Sequence, residues 1–246
     1  MIELIYVKGE ENMMFPSNVY EAKIEISLSH NIEASQMPAA ISKFLDSVLS
    51  TTEDMAAFHE KNCYKGYTFD SGYPVERNKI YKKGKTYTVT VRTISEELLD
   101  IFLVKSLKVK TDDITGMKSS MNILPCKTIT KLYSITPAVI KDEKGYWTEW
   151  MDKDEFKKRI FVNLVKKWNY FTGENMDEDF SFINDFLILN SSAIKVPYKG
   201  ISLLGDKVEF TVADNEKAQQ LAYIALGTGI LENNARGCGF VNCKGH

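Results

Sequence analysis

The hydrophobic patterning of the chain predicts an α+β protein built from two tandem ferredoxin-like (βαββαβ) domains with antiparallel sheets. Three observations carry that expectation. The chain has 246 residues, enough for two domains of ordinary size. An order of strand, helix, strand, strand, helix, strand is legible over its first half. A similar order of similar length follows in the second, placing the domains at 1–125 and 126–246.

Each element has a local reason. From Val19 to Leu28, apolar Ala22, Ile24, Ile26 and Leu28 alternate with polar neighbours, the period of a half-buried strand. Ser35 stands where it can cap a helix through about Leu49, with Ile41, Phe44, Leu45 and Val48 on one face. Tyr67–Phe69 reads as a short strand, and Ile80 to Ile94 as a hairpin turning at Gly84. Ser95 before Glu96 and Glu97 opens a second helix to about Lys105, since carboxylates favour a helix N-terminus. Leu107 to Ile114 reads as a weaker closing strand. In the second half, Lys127–Ser134 and Ala138–Ile140 are strand-like, with a turn at 142–145. The longest helix runs from Lys153 to Phe171 with Phe156, Ile160, Leu164 and Trp168 inward. Phe182–Val196 and Lys207–Val212 are strands flanking a Gly200–Gly205 region. Asp214 caps a helix to about Leu226, and Phe240–Val241 closes the last sheet.

Composition narrows the function classes. With 44% hydrophobic and 26% charged residues the chain buries a core, which excludes a disordered or collagen-like protein. No uninterrupted apolar run suits a bilayer, and MIELIYVKGEENMM lacks the basic and apolar regions of a secretion signal, so a cytoplasmic protein without membrane association is expected. Cys63, Cys126, Cys238 and Cys243 form no CxxC pair, and His246 near the last two makes at most half a metal site. Reduced structural thiols and no metal are the expectation. The formal net charge of −2 argues against an indiscriminate nucleic-acid coat. That charge is unevenly spread: 3 Lys face 10 acids over residues 1–60, whereas 14 Lys or Arg face 7 acids over 61–131. The Lys-rich middle reads either as protected strand edges or as an anion-binding face along Lys65, Lys79, Lys82, Lys83, Lys85 and Arg92.

Two constellations carry candidate chemistry. In FHEKNCYKGYTF, His59 stands within six residues of Glu60, Lys61, Tyr64 and Lys65, and an imidazole is the natural proton-transfer group near neutral pH. The segment reads as a loop between the first helix and second strand. His30, at the end of the first strand, is a turn or cap residue. The second constellation is ALGTGILENNARGCGFVNCKGH, where five of the chain's 14 glycines fall within 19 residues. Gly227, Gly229, Gly237 and Gly239 form two GxG pairs that let backbone N–H groups approach an anion, with Arg236 as a fork-shaped phosphate contact. The same glycines also suit a hairpin or helix terminator feeding the final strand. They follow a helix rather than open one, and no GK[ST] follows, so neither a dinucleotide fingerprint nor a Walker loop is present.

In order and spacing, FHEKNCYKGYTF, KLYSITPAVIK (Lys131–Lys141) and the GTG…GCGF loop resemble the CRISPR-associated endoribonucleases of the repeat-associated mysterious protein superfamily. The resemblance spans nearly the whole chain. It implies two ferredoxin-like domains and cofactor-free, metal-independent cleavage of CRISPR repeat RNA. The 2′-hydroxyl attacks the adjoining phosphate, leaving 2′,3′-cyclic phosphate and 5′-hydroxyl ends. His59 matches the general acid/base, and Lys65 the cation that stabilises the transition state. Gly227, Gly229, Gly237 and Gly239 match the loop that contacts RNA. The implied partners are repeat RNA and other CRISPR-associated proteins, with the chain a monomer or homodimer. Two departures stand out. Phe44 occupies the register of a first-helix Tyr, leaving a proton-transfer role to Lys65, Tyr64, Tyr67 or His30. Seven residues, Ile230 to Arg236, separate the GxG pairs, longer than the common pattern. The first departure keeps a non-cleaving RNA-binding subunit as the alternative.

Overall fold

The structure is a computed structural model; it describes residues 18–198 and 200–245, without the side chains of His59, Glu60 and Tyr198. The opening MIELIYVKGEENMM segment and His246 lie outside the described residues. In chain order the first half comprises β1 (Val19–Leu28), β2 (Ile32–Glu33), α1 (Met37–Leu49), α2 (Glu53–Glu60), β3 (Tyr67–Phe69), β4 (Ile80–Tyr81), β5 (Thr86–Thr93), α3 (Glu96–Lys105) and β6 (Ile114–Leu124). The second comprises β7 (Ile129–Ser134), β8 (Ala138–Val139), α4 (Lys153–Thr172), β9 (Ile183–Ile188), β10 (Ile194–Tyr198), β11 (Ile201–Asp206), β12 (Val208–Val212), α5 (Glu216–Thr228) and β13 (Val241–Gly245).

The two halves share one topology. The first sheet runs β3-β5-β1-β6 and the second β13-β7-β12-β9, every neighbouring pair antiparallel. In each, the first strand lies between the fourth and third, with the second at the far edge. That is the ferredoxin-like order, given twice. The inward faces of the first sheet and of α1 and α3 bury Ile24, Ile26, Ile41, Phe44, Leu45, Val91 and Phe102. A second apolar cluster gathers Leu132, Phe156, Ile160, Leu164, Trp168, Phe210 and the underside of α5.

Helix starts follow local chemistry. The Ser95 hydroxyl accepts from Leu98 N at 3.2 Å, as its sequence position predicts. Asp152 and Glu155 form a reciprocal capping box at α4, and Gly173 ends that helix in the left-handed region. Asn215, not Asp214, caps α5 by accepting from Ala218 N at 3.0 Å. Gln36 rather than Ser35 precedes α1, without a side-chain cap.

Strand pairing corrects three expectations. Ile80–Tyr81 does not form a hairpin with Thr86–Thr93; it pairs with Ile32–Glu33 in a separate two-stranded ribbon, while β5 is held between β1 and β3. Residues 107–114 are mostly a 3₁₀ turn and loop, and the closing strand is Ile114–Leu124. Its pattern is weak because it lies at the sheet edge, where both faces are largely exposed beyond Gly116 and Ser119 interrupts the apolar positions Met117, Met121 and Ile123. The stretch Phe182–Val196 splits at 189–193 into β9 and β10, and β10 turns back through β11 onto β8. No helix among the described residues is long and apolar enough to cross a membrane.

Candidate functional site

His59 stands on the last turn of α2, an eight-residue helix between α1 and β3, rather than in a loop. The carbonyls that end a helix have no intrahelical donor. Lys65 supplies one: its ammonium donates to Phe58 O at 2.5 Å and Lys61 O at 2.7 Å, and lies 4.7 Å over the Phe58 ring. A cation here also complements the negative end of the helix dipole. Lys65 thus pins the end of the helix that carries His59, and burial pushes its pKa below the ordinary lysine value.

Across from this segment lies the glycine-rich loop, and the two line one cleft of about 310 Å³. Lys65, Lys141 and Arg236 bring positive charge to it, against Glu232 as the lining carboxylate among the described residues. Tyr67, at the start of β3, also lines the cleft, and its hydroxyl is buried without a hydrogen-bond partner. Residues far apart in sequence, 62–67 just after the helix that carries His59 and 228–236, therefore meet at one place.

The loop is ordered from within. Ile230 N donates to Gly239 O at 2.9 Å, Gly239 N to Pro137 O at 2.8 Å, and Asn234 Nδ2 to Ile230 O and Cys238 O at 2.9 and 3.0 Å. Beneath it, Lys167 of α4 is buried; its Nζ donates to Gly229 O and Asn234 Oδ1, both at 2.7 Å, and to Thr228 O at 3.3 Å. Burial holds its pKa down at about 7. Sequence reading missed Lys167, because a KK pair on a long helix resembles a solvated face. Its one signal is position: Lys167 falls between Leu164 and Trp168, on the apolar side.

The glycines answer to packing. Gly227 lies within α5, where a Cβ would stand 2.7 Å from Ile94 Cγ2 and 3.2 Å from Val19 Cγ1; its absence lets α5 sit directly on the first sheet. Gly239 has φ +66°, and a Cβ there would collide with the Ile230 carbonyl oxygen. Gly229 and Gly237 also take positive φ. Most of the loop N–H groups have partners inside the protein, so the hairpin-like reading of these glycines describes this state.

The basic residues divide. Arg236 faces the cleft, but its guanidinium is held by α1: one nitrogen donates to Ser42 Oγ at 2.7 Å and Asp46 Oδ2 at 2.5 Å. Ser42 and Asp46, one turn apart, are what α1 offers the loop, whereas Phe44 is turned into the core. Arg92, expected on the RNA face, is buried and does not line the cleft. It is 8% exposed, donating to Glu21 at 2.8 Å, Val241 O at 2.7 Å and Asn242 Oδ1 at 2.9 Å, and it stacks on Phe240. It ties β5 to β13. Lys85 pairs with Glu76 at 2.6 Å, and Lys83 is exposed near the β4–β5 turn; neither lines the cleft. His30 lines a separate groove, 3.4 Å from Asp113. All four cysteines are free thiols, and among the described residues no three His, Cys, Asp or Glu converge as metal ligands.

Doubled ferredoxin-like sheets with a glycine-rich loop after the last helix define the class: the tandem fold of the RAMP proteins. The family described as CRISPR associated protein Cas6, C-terminal, matches residues 118–243, just over half of the chain, and the chain belongs to that family. A structure titled CRISPR associated protein Cas6 superposes with TM-score 0.67 at 18% identity, covering 92% of this chain and 99% of that one. One titled an RAMP protein binding different RNA substrates gives 0.70 at 13%, covering 92% and 99%. A Thermus thermophilus Cas6 product complex gives 0.62 at 14%, covering 93% and 100%. At these identities the superpositions establish the fold. No curated protein matches the chain in sequence.

Proposed function

We propose that the chain is an endoribonuclease that cleaves CRISPR precursor RNA within its repeats, with the chemistry in the cleft between α2 and the glycine-rich loop. The single observation that carries this reading is the convergence of residues 62–67, which follow the helix bearing His59, with that loop, in a chain of the Cas6 family. The two domains divide near residue 125. The Tyr223 hydroxyl of α5 supports that boundary, accepting from Val19 N at 3.0 Å and donating to Leu124 O at 2.9 Å, two residues paired at one end of β1 and β6.

In the proposed reaction the 2′-hydroxyl upstream of the scissile phosphate is the nucleophile, which restricts cleavage to RNA. His59 exchanges the proton as general acid/base, and the cationic lining balances the charge gathering on the pentacoordinate phosphorus. The products are a 2′,3′-cyclic phosphate and a 5′-hydroxyl, with no metal or cofactor taking part. Arg236 reaches the phosphate by exchanging its Asp46 contact for one with RNA. Glycine-loop contacts with RNA belong to the same proposal, as do electrostatic contributions from Lys83 and Lys85. For Arg92 we propose a purely structural tie.

A repeat RNA from the genome encoding this chain should be cut in EDTA, and a single 2′-deoxy substitution at the scissile position should stop cleavage. Cutting that persists through that substitution overturns the 2′-hydroxyl mechanism. A non-cleaving RNA-binding subunit is the second reading, favoured by Phe44 in place of a phenol and by the engagement of Lys65 with helix carbonyls. Tight, salt-sensitive repeat binding without product selects it.

A further inference from the structure

Against the cleft-lining residues Tyr64 and Phe171 stands an aromatic side chain that the proposed chemistry does not use. Tyr170, in the last turn of α4, is 54% exposed. Exposed tyrosines usually swing freely, but this ring is braced. Tyr64 meets it edge-on at 5.4 Å between centroids, and Phe171 does so at 5.1 Å. Tyr64 belongs to the segment between His59 and Lys65, so the brace ties the ring to the stretch that holds the candidate catalytic residues. Lys166, exposed one turn earlier on α4, shares the helical face of Tyr170, and Lys61 and Asn62 are exposed beside Cys63. Other exposed apolar side chains, such as Met117, Met121 and Leu187, lie on strands β6 and β9 and do not line the cleft.

A ring that is open to solvent and already fixed loses little freedom on stacking. With cations on either side for the flanking phosphates, it suits an unpaired nucleobase rather than an apolar peptide, which would leave those cations without partners. We propose that the open face of Tyr170, braced by Tyr64 and Phe171, stacks an unpaired RNA base next to the phosphate that enters the cleft. The platform sets which base is unstacked there, and so contributes to the choice of cleavage position. It rests on the reading of the cleft as an RNA-processing site.

The test uses the full chain and the repeat RNA, with 2-aminopurine placed in turn at each position around the cut. One position should be quenched on binding to the wild type, and that quenching should vanish in Tyr170→Ala and Tyr170→Leu while Tyr170→Phe keeps it. Affinity should fall about 5- to 150-fold in the Ala variant, the range for losing one stacked base. An abasic nucleotide at the quenched position should remove the difference between wild type and Tyr170→Ala. Equal affinity and unchanged quenching in the Ala and Leu variants overturn the platform, and cleavage by the wild type in that experiment leaves the parent reading standing. A wild-type chain that neither binds nor cuts the repeat overturns both.

Discussion

The first and second halves of this chain use one sheet order for different ends. In the first, the connection from α1 to β3 is elaborated: it carries α2, His59 and the Lys65 clamp. In the second, the corresponding connection from α4 to β9 holds no helix, and the candidate site draws instead on the connection from α5 to β13, where the glycine-rich loop turns. Neither half holds the candidate site alone. A duplicated scaffold thus supplies rigid sheets, and function is added in whichever connections face each other across the junction.

The largest effect that can break this comparison comes from the loop's own backbone. Gly239→Val meets both the left-handed φ and the Ile230 carbonyl. We expect it to destabilise the chain by about 3 kcal/mol or more, read as a lost or strongly lowered thermal transition. The same substitution at Gly84, where nothing stands within 4 Å of a Cβ, keeps only the strain of positive φ, about 1 kcal/mol, and is the control.

Next in size is the tie between the halves. Arg92→Ala leaves buried Glu21 with only the exposed Lys23 at 3.8 Å and Val241 O without its donor; we expect about 3 kcal/mol of lost stability in denaturant melts. Repeat affinity measured under folded conditions should be unchanged. A weakened affinity at full stability would return Arg92 to the RNA surface.

Lys167→Met sharpens the role of the second half. It strands Gly229 O and Asn234 Oδ1, at a cost of about 2 kcal/mol. It also changes the pH dependence. Between about 7, where burial holds Lys167, and the ordinary lysine value of 10.5, the unfolded chain binds the extra proton, so wild-type stability rises with pH across that window. The Met variant should lack that rise, as melts at a series of pH values would read. The smallest effect is expected at Lys83 and Lys85: their Ala variants should lower the salt dependence of RNA binding by about one ion each and leave cleavage at saturation unchanged.

Much of this architecture was legible in local pattern. Val19–Leu28 and Tyr67–Phe69 match their strands end for end, and Ser95 caps α3 as its position predicts, because alternation and capping are local properties. Pairing is not local, and so Ile80–Tyr81, which looks like half of a hairpin, joins Ile32–Glu33 instead. The candidate site was legible in parts: FHEKNCYKGYTF and the glycine-rich stretch contain the residues of its two walls, 62–67 and 228–236. What joins them was not. Arg236 is turned aside by Asp46, Arg92 buried in the junction and Lys167 set under the loop by packing between elements more than 60 residues apart.

The central claim, that these two walls form an RNA-cutting site, is tested most directly by single-turnover cleavage of the repeat RNA by wild type and His59→Ala at matched saturation. Loss of a general acid/base should slow cutting by about 100-fold or more while binding is retained. Equal rates would contradict the account.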